Sequence, residues 1–296
     1  MRNCMKDKTI SRAIKVAGFS SIVIVLMIFA FLLQAGLPAL NEVRLQDLFT
    51  ARWYPIEDYF GILPLFSGSL LVTLVSLLIA VPFGVGTAVY IAEIAPLRVK
   101  EILKPLVEIL AGIPSVVLGF IGIVFLSPTL RELLNLPTGL TAFTGAVLLA
   151  LISIPTIVSV GEDALNAVPQ SYREASYALG ITRWQTIWRV TLPAARSGVI
   201  TAMMLGISRT LGETMAVMMV TGNAPTIFKG LQSIFKPART MTATIASEMG
   251  EVATNSTHYH VLFFIGIVLF VFSLIINIIS NHFSEKNRKE KEQVVS

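Results

Sequence analysis

Five stretches of this chain contain no Asp, Glu, Lys or Arg: residues 16–41 (26 residues), 59–92 (34), 109–130 (22), 133–161 (29) and 252–284 (33). A helix crosses the hydrocarbon core of a bilayer in about 20 mainly apolar residues, and within that core every backbone N–H and C=O must be bonded inside the segment. Uncharged runs of this length therefore admit few folds other than membrane-spanning helices. A sixth apolar stretch, 197–220, is interrupted by Arg209 and Glu213. Composition agrees: 14% of residues are charged and mean hydropathy is +0.74, whereas soluble domains carry about 25% charge. A water-soluble globule, a disordered chain and a coiled coil are excluded. The expected fold is an all-α integral membrane bundle of six transmembrane helices, near 17–37, 65–92, 106–127, 140–161, 197–220 and 261–283.

Charge sets the expected orientation. Six spans put both termini on one side, and that side collects 16 of the 23 Lys and Arg residues, the other six, with Arg209 inside a span. By the positive-inside bias both termini are cytoplasmic. The basic pI of about 9.4 then reports topology and not a nucleic-acid partner. This division predicts a cytoplasmic tail (1–16), a first anchor (17–37), a periplasmic interfacial segment (38–64) with Trp53, Tyr54 and Tyr59 near the membrane boundary, a five-helix core (65–283) and a cytoplasmic tail (284–296). Within the core lie a cytoplasmic loop (162–196) and a periplasmic loop (221–260). The first span follows a basic start, but its uncharged run is longer than a signal-peptide core and no small-residue cleavage site closes it, so it is expected to be retained.

Catalytic and cofactor patterns are missing from the sequence. There is no G-x-x-x-x-G-K-[ST] to cradle nucleotide phosphates and no H-E-x-x-H. Gly84-Val85-Gly86 lacks the third glycine and the setting of a dinucleotide site. Cys4 is the only cysteine. His258 and His260 flank Tyr259 and read as a solvated interface in preference to a metal site. The chain is expected to be a non-enzyme with no metal and no cofactor of its own.

The most informative stretch is NAVPQSYREASYALGITRWQTIWRVTLP, 166–193. Pro169 opens a run of helix formers and Gly180 is placed to end it. Tyr172, Ala175, Ser176 and Leu179 stand at i, i+3, i+4 and i+7, one face of a short helix, of the kind that docks in a partner's groove. Glu174-Ala175-Ser176, three residues, Gly180, nine residues and Val190-Thr191-Leu192-Pro193 resemble the EAA motif of ABC-importer permeases, E-A-A-x3-G-x9-I-x-L-P. Ser176 and Val190 depart mildly from it.

Longer strings narrow the resemblance. Gly112-Ile113-Pro114-Ser115-Val116-Val117, Arg209-Thr210-Leu211-Gly212-Glu213-Thr214-Met215-Ala216-Val217 and Arg239-Thr240-Met241-Thr242 resemble the PstC family, permease subunits of bacterial phosphate importers. The likeness runs from about Trp53 to Phe283. It implies a MetI-like permease fold and an assembly with a PstA-type permease, a PstB-type ATPase dimer that uses ATP with Mg, and a PstS-type periplasmic phosphate-binding protein. It also implies import of inorganic phosphate by alternating access, with Tyr172, Glu174, Ala175, Ser176, Leu179, Gly180 and Pro193 coupling the chain to the ATPase. Two other readings stay open: a permease for another oxyanion such as sulfate or molybdate, and a self-contained ion-coupled carrier or channel.

Arg209 lies about 12 residues into its span, near mid-bilayer at about 1.5 Å per residue. An arginine there costs about 2.5–3.5 kcal/mol on insertion scales and is expected to face the bundle interior or water. Glu213, one helical turn on, is expected to pair with it and hold its fork toward phosphate. Thr210, Thr214 and Ser115 are candidate pathway donors. Gly112 and Pro114 are expected to break the third helix, since Pro114 has no N–H; that break either borders the pathway or is a packing kink. Glu93 and Glu108, at helix ends, read as solvated and structural.

Overall fold

In the computed structural model the backbone is described for residues 2–295 and side chains for 11–279, apart from Ala13 and Leu231. The side chains of Cys4 and His282, of Arg2, Lys6, Asp7 and Lys8, and of the charged residues from Glu285 onward lie outside the described residues, whereas Arg12 and Lys15 are exposed.

Six helices among the described residues are long and apolar enough to cross a membrane: Ile14–Glu42, Leu63–Ile94, Ser115–Leu133, Ala142–Asn166, Arg183–Gly212 and Thr257–Ile279. They are built from α1 (Arg2–Gly36), α4 (Leu63–Val89), α6 (Ser115–Ile121) with α7 (Ser127–Leu133), α8 (Ala142–Asn166), α11 (Leu192–Gly212) and α14 (Thr257–Val295). Shorter helices are α2 (Ala39–Glu42), α3 (Leu45–Leu48), α5 (Leu97–Gly112), α9 (Gln170–Ala178), α10 (Arg183–Thr186), α12 (Met215–Val220) and α13 (Met241–Glu248). At both ends the flanking helix continues through the terminal segment: α1 begins at Arg2 and α14 runs to Val295.

The core is organised around α8, which packs against α4 on one side and α11 on the other. Lipid tails provide no hydrophobic drive between helices, so close backbone approach and dispersion must hold them. Gly84 of α4 and Gly206 of α11 supply that approach: a Cβ on either would fall within 2.8 Å of Ile157, which α8 inserts between them. Ile157 is fully buried. α1 lies along α14, with Phe29 stacked on Phe270 at 4.7 Å and His260 Nδ1 2.8 Å from the Ala35 carbonyl.

Three π turns, Tyr90–Ile94, Gly122–Leu126 and Ile187–Thr191, widen the helical path. Each stops two residues before a proline: Pro96, Pro128 and Pro193. A proline ring collides with the carbonyl four residues back and offers no N–H to it, and a wider turn removes that conflict.

Two expected helices are broken outright. The third helix is interrupted at Gly112 and Pro114: amphipathic α5 ends at Gly112, Ile113 is extended (ψ 129°), and α6 follows from Pro114. In place of 197–220, α11 ends at Gly212, Glu213 is extended (ψ 130°), and α12 follows.

Beyond the spans at one end, residues 38–64 form α2, α3 and a hairpin of β1 (Trp53–Tyr54) and β2 (Tyr59–Phe60), with Trp53 opposite Phe60. Trp53 is 3% exposed and packs with Phe60, Leu65, Met241, Leu262 and Ile265. It is a core residue and not the boundary anchor expected of it, whereas Tyr54 and Tyr59 remain exposed. The expected loop 221–260 contains α13 in the same cluster.

Candidate functional site

At the opposite end, α9 and α10 form a tight helical hairpin. Gly180 (φ +75°) occupies the first position past the cap of α9. Its N–H bonds to Tyr177 O (2.9 Å) and that of Ile181 to Ser176 O (3.2 Å). These two bonds make a Schellman ending, for which glycine's freedom at positive φ is suited. α10 starts with a capping box in which Thr182 and Gln185 bond each other's backbone N–H.

The hairpin turns one side outward. Tyr172 (48%) and Leu179 (80%) are well exposed, as are Glu174, Ala175, Gly180 and Pro193. Ser176 departs from the expected shared face. It is buried, with its hydroxyl bonded to Thr186 of α10. A serine in the third motif position thus joins the two helices, while Tyr172, Ala175 and Leu179 are left to an outside surface. Trp184 and Trp188 are also exposed and meet edge to face at 5.8 Å.

Arg173 holds the hairpin to the bundle. Its guanidinium pairs with Glu93 at 2.5 Å and donates to the carbonyls of Val168 (2.7 Å) and Leu165 (2.9 Å). Glu93 is 8% exposed, so it is not the solvated group its place near a helix end predicted. Glu108 is exposed. Glu162, expected to open the loop, lies inside α8 and is 2% exposed, with the ammonium groups of Lys100 and Lys104 each at 3.5 Å.

Arg209 and Glu213 do not pair. The break after Gly212 removes the helical register that would bring them together. The Glu213 carboxylate instead accepts from the backbone N–H of Thr214 (3.2 Å) and Ala216 (3.4 Å) at the start of α12. A carboxylate at orphan helix-start donors is satisfied without a guanidinium. Arg209 stands on the exposed side of α11 and has no hydrogen bond or ion pair among the described residues. Its neighbour Thr210 points inward, bonded to Ser153 (2.8 Å) and Gly206 O (2.9 Å).

A small cavity of about 10 Å³ brings together Ser69, Thr73, Thr210, Glu213, Thr240 and Thr242. It is about the space of one water. Arg209, Ser115 and Thr214 do not line it. Thr214 bonds Gly212 O. Ser115 begins α6, which packs on α12 through Gly119 against Met219 and Ala216. The structure thus gathers Thr210 and Glu213, and leaves Arg209 and Ser115 outside.

A further charged cluster was not foreseen. Arg239 Nη1 is 2.8 Å from Glu248, whose other oxygen is 2.8 Å from His258 Nε2, and Trp53 Nε1 donates to the carboxylate at 3.2 Å. Burial alone would raise the Glu248 pKa, but the His258 bond, the Arg239 charge and the Trp53 N–H outweigh it and hold the carboxyl below its ordinary value. His258 and His260 are accordingly partnered and partly buried, not solvated. Arg239 and His258 lie nine and ten residues from Glu248 at spacings that match no helical turn, and Trp53 joins from 195 residues away.

Comparison with known proteins follows the same lines. The family described as binding-protein-dependent transport system inner membrane component matches residues 80–289. YqgH of Bacillus subtilis, a probable ABC transporter permease protein, is 39% identical over 82% of this chain and 79% of its own. The phosphate transport system permease protein PstC of Mesorhizobium japonicum is 34% identical over the same shares. Among solved structures, the bacterial alginate ABC transporter in complex with its pentasaccharide-bound periplasmic protein aligns with a TM-score of 0.63 at 17% identity, covering 91% of this chain and 93% of that one. The inward-facing MetNI methionine ABC transporter aligns at 0.56 and 22%, covering 77% and 94%. With six apolar spans, an EAA-type hairpin at one end and a family match over most of its length, the chain belongs to the binding-protein-dependent inner-membrane components, the multi-pass MetI-like permeases of ABC importers.

Proposed function

We propose that this chain is the permease subunit of an ATP-driven importer that carries inorganic phosphate from periplasm to cytoplasm by alternating access. Its likeness to PstC permeases carries the reading: 34% identity to the M. japonicum protein and 32% to that of Xylella fastidiosa, over more than 80% of this chain. The α9–α10 end and both termini are cytoplasmic, in keeping with the Lys and Arg bias. A PstA-type permease completes the pathway, a PstS-type protein delivers phosphate, and a PstB-type ATPase dimer docks on the exposed Tyr172, Ala175 and Leu179 with Glu174 beside them. ATP and Mg belong to that partner.

Arg209 recognises the anion in this reading. In the last turn of α11, just before the break at Gly212, a guanidinium with no partner among the described residues is costly against lipid, so the second permease or water covers it. Its planar fork then matches two phosphate oxygens. Thr210 and Glu213 shape the wall behind it. Glu213 does so as the cap of α12 and not as a counter-ion.

Phosphate-uptake rescue in a strain lacking this subunit tests the reading. Wild type restores uptake; Arg209→Gln and Arg209→Lys assemble but transport poorly; Glu174→Lys loses ATPase association. Rescue of sulfate or molybdate uptake in place of phosphate would reassign the substrate, and transport by the purified chain alone would remove the ATPase from the scheme.

A further inference from the structure

We infer that Arg173 is the joint through which motion of the α9–α10 hairpin enters the bundle, and that it keeps α4, α8 and α9 one rigid body through the transport cycle. The inference rests on the reading of α9 as the ATPase-facing element.

One side chain meets three segments. Arg173 Nε donates to both Glu93 oxygens (3.1 and 3.3 Å), and Nη2 to Glu93 Oε1 (2.5 Å) and Leu165 O (2.9 Å). Nη1 donates to Val168 O (2.7 Å). Glu93 belongs to the π turn that ends α4. Leu165 and Val168 lie in and just past the last turn of α8; the Leu165 carbonyl also accepts from the Val168 N–H (3.2 Å), so Arg173 is its second donor. From α10, Arg183 bonds the Glu93 carbonyl as well. Both helices of the hairpin therefore grip the same π turn.

Two further observations separate a joint from a simple tether. First, the pair is largely buried: the side chains of Arg173 and Glu93 are 12% and 5% exposed. A buried ion pair is costly to desolvate, and apolar packing of similar volume would hold two helices at least as well. What a planar fork adds is orientation, since it satisfies a carboxylate and two carbonyls in one geometry, and a lysine cannot. Second, the surroundings are open. An open cavity of about 690 Å³ reaches the pair: Glu93 and Arg173 line it together with Asn166, Gln170, Tyr177 and Arg183. With so little packing on that side of α9, a push on the hairpin passes to α4 and α8 through Arg173.

The test uses the complete importer in lipid vesicles, with spin labels at Ser171→Cys on α9 and Phe83→Cys on α4, both exposed positions, and Cys4→Ser. With Arg173 intact, the label separation is a single narrow distance that trapping with ATP does not move. In Arg173→Lys the distribution broadens and shifts on trapping. ATP hydrolysis stays within about twofold of wild type while phosphate imported per ATP falls about tenfold or more, as loss of a charge-assisted hydrogen bond implies. Glu93→Gln, which keeps an acceptor oxygen but not the charge, falls between. An ATP-dependent separation with Arg173 intact overturns the joint, as does an Arg173→Lys importer with normal separation and normal coupling. If neither variant assembles, the pair is a folding element and the joint is overturned too. The distance measurement needs ATP but no phosphate, so a wild type that imports some other solute sinks only the substrate assignment.

Discussion

Arg239 and Glu248 form a 2.8 Å ion pair beneath the β hairpin, with the Trp53 indole N–H and the His258 ring on the same carboxylate. Three of these groups lie within 20 residues of one another, and Trp53 reaches them across 195 residues. The cluster closes the end of the bundle opposite the α9–α10 hairpin.

The pair makes stability at that end depend on pH. The Glu248 pKa is lowered from an ordinary 4.5, so its contribution is complete above that value and is lost as pH falls through the folded pKa. Thermal unfolding in detergent from about pH 6 to pH 3 should show a melting temperature that drops at the acid end. Glu248→Gln should lower stability at neutral pH by about 1.5–3 kcal/mol, the worth of hydrogen bonds to a charged group, and flatten the acid limb.

Glu213 acts on α12, not on Arg209. Glu213→Ala should cost about 0.5–2 kcal/mol, as loss of a helix cap does, and Glu213→Gln clearly less. In a double-mutant cycle on thermal stability, Arg209→Gln and Glu213→Gln should add to within about 0.5 kcal/mol. A larger coupling energy would mean that the two side chains interact after all.

Gly206 marks a close approach of α11 to α8. A Cβ there would sit 2.6 Å from Ile157, and overpacking of this kind costs about 1–3 kcal/mol. Gly206→Ala should therefore lower the melting temperature. Combined with Ile157→Ala, which vacates the space, the loss should be smaller than the sum of the two single losses.

The two sides of α9 should respond differently to substitution. Leu179→Asp falls on an 80% exposed side chain and should leave stability within about 0.5 kcal/mol of wild type while weakening co-purification of the ATPase. Ser176→Ala should cost about 1 kcal/mol through the lost bond to Thr186 and leave ATPase capture intact in detergent pull-downs.

Much of the architecture was legible from one dimension. The spans at 65–92, 140–161 and 261–283 needed only their uncharged length, because a bilayer accepts little else. The α9 hairpin was legible because its signals are local: Pro169 before it, Gly180 after it, and a motif at fixed spacing. Ser176 was misplaced because a four-residue spacing names a helical face without saying whether a second helix covers part of it. The same limit applied to Trp53, whose aromatic character suits a membrane boundary or a core equally well.

By itself, then, the sequence determined that this chain lives in a bilayer, how often it crosses, and where a short helical hairpin forms between two spans. These follow from hydropathy, charge bias and helix-end chemistry, all of which act within a few turns of chain. Only the tertiary structure decided which partners the charged groups meet: Arg173 with Glu93 across 80 residues, Glu248 with the Trp53 N–H across 195, and Arg209 with no partner among the described residues. Helix breaks and packing choose those partners, because a Coulomb interaction depends on distance in space, and distance along the chain sets it only where the helix between two residues is unbroken.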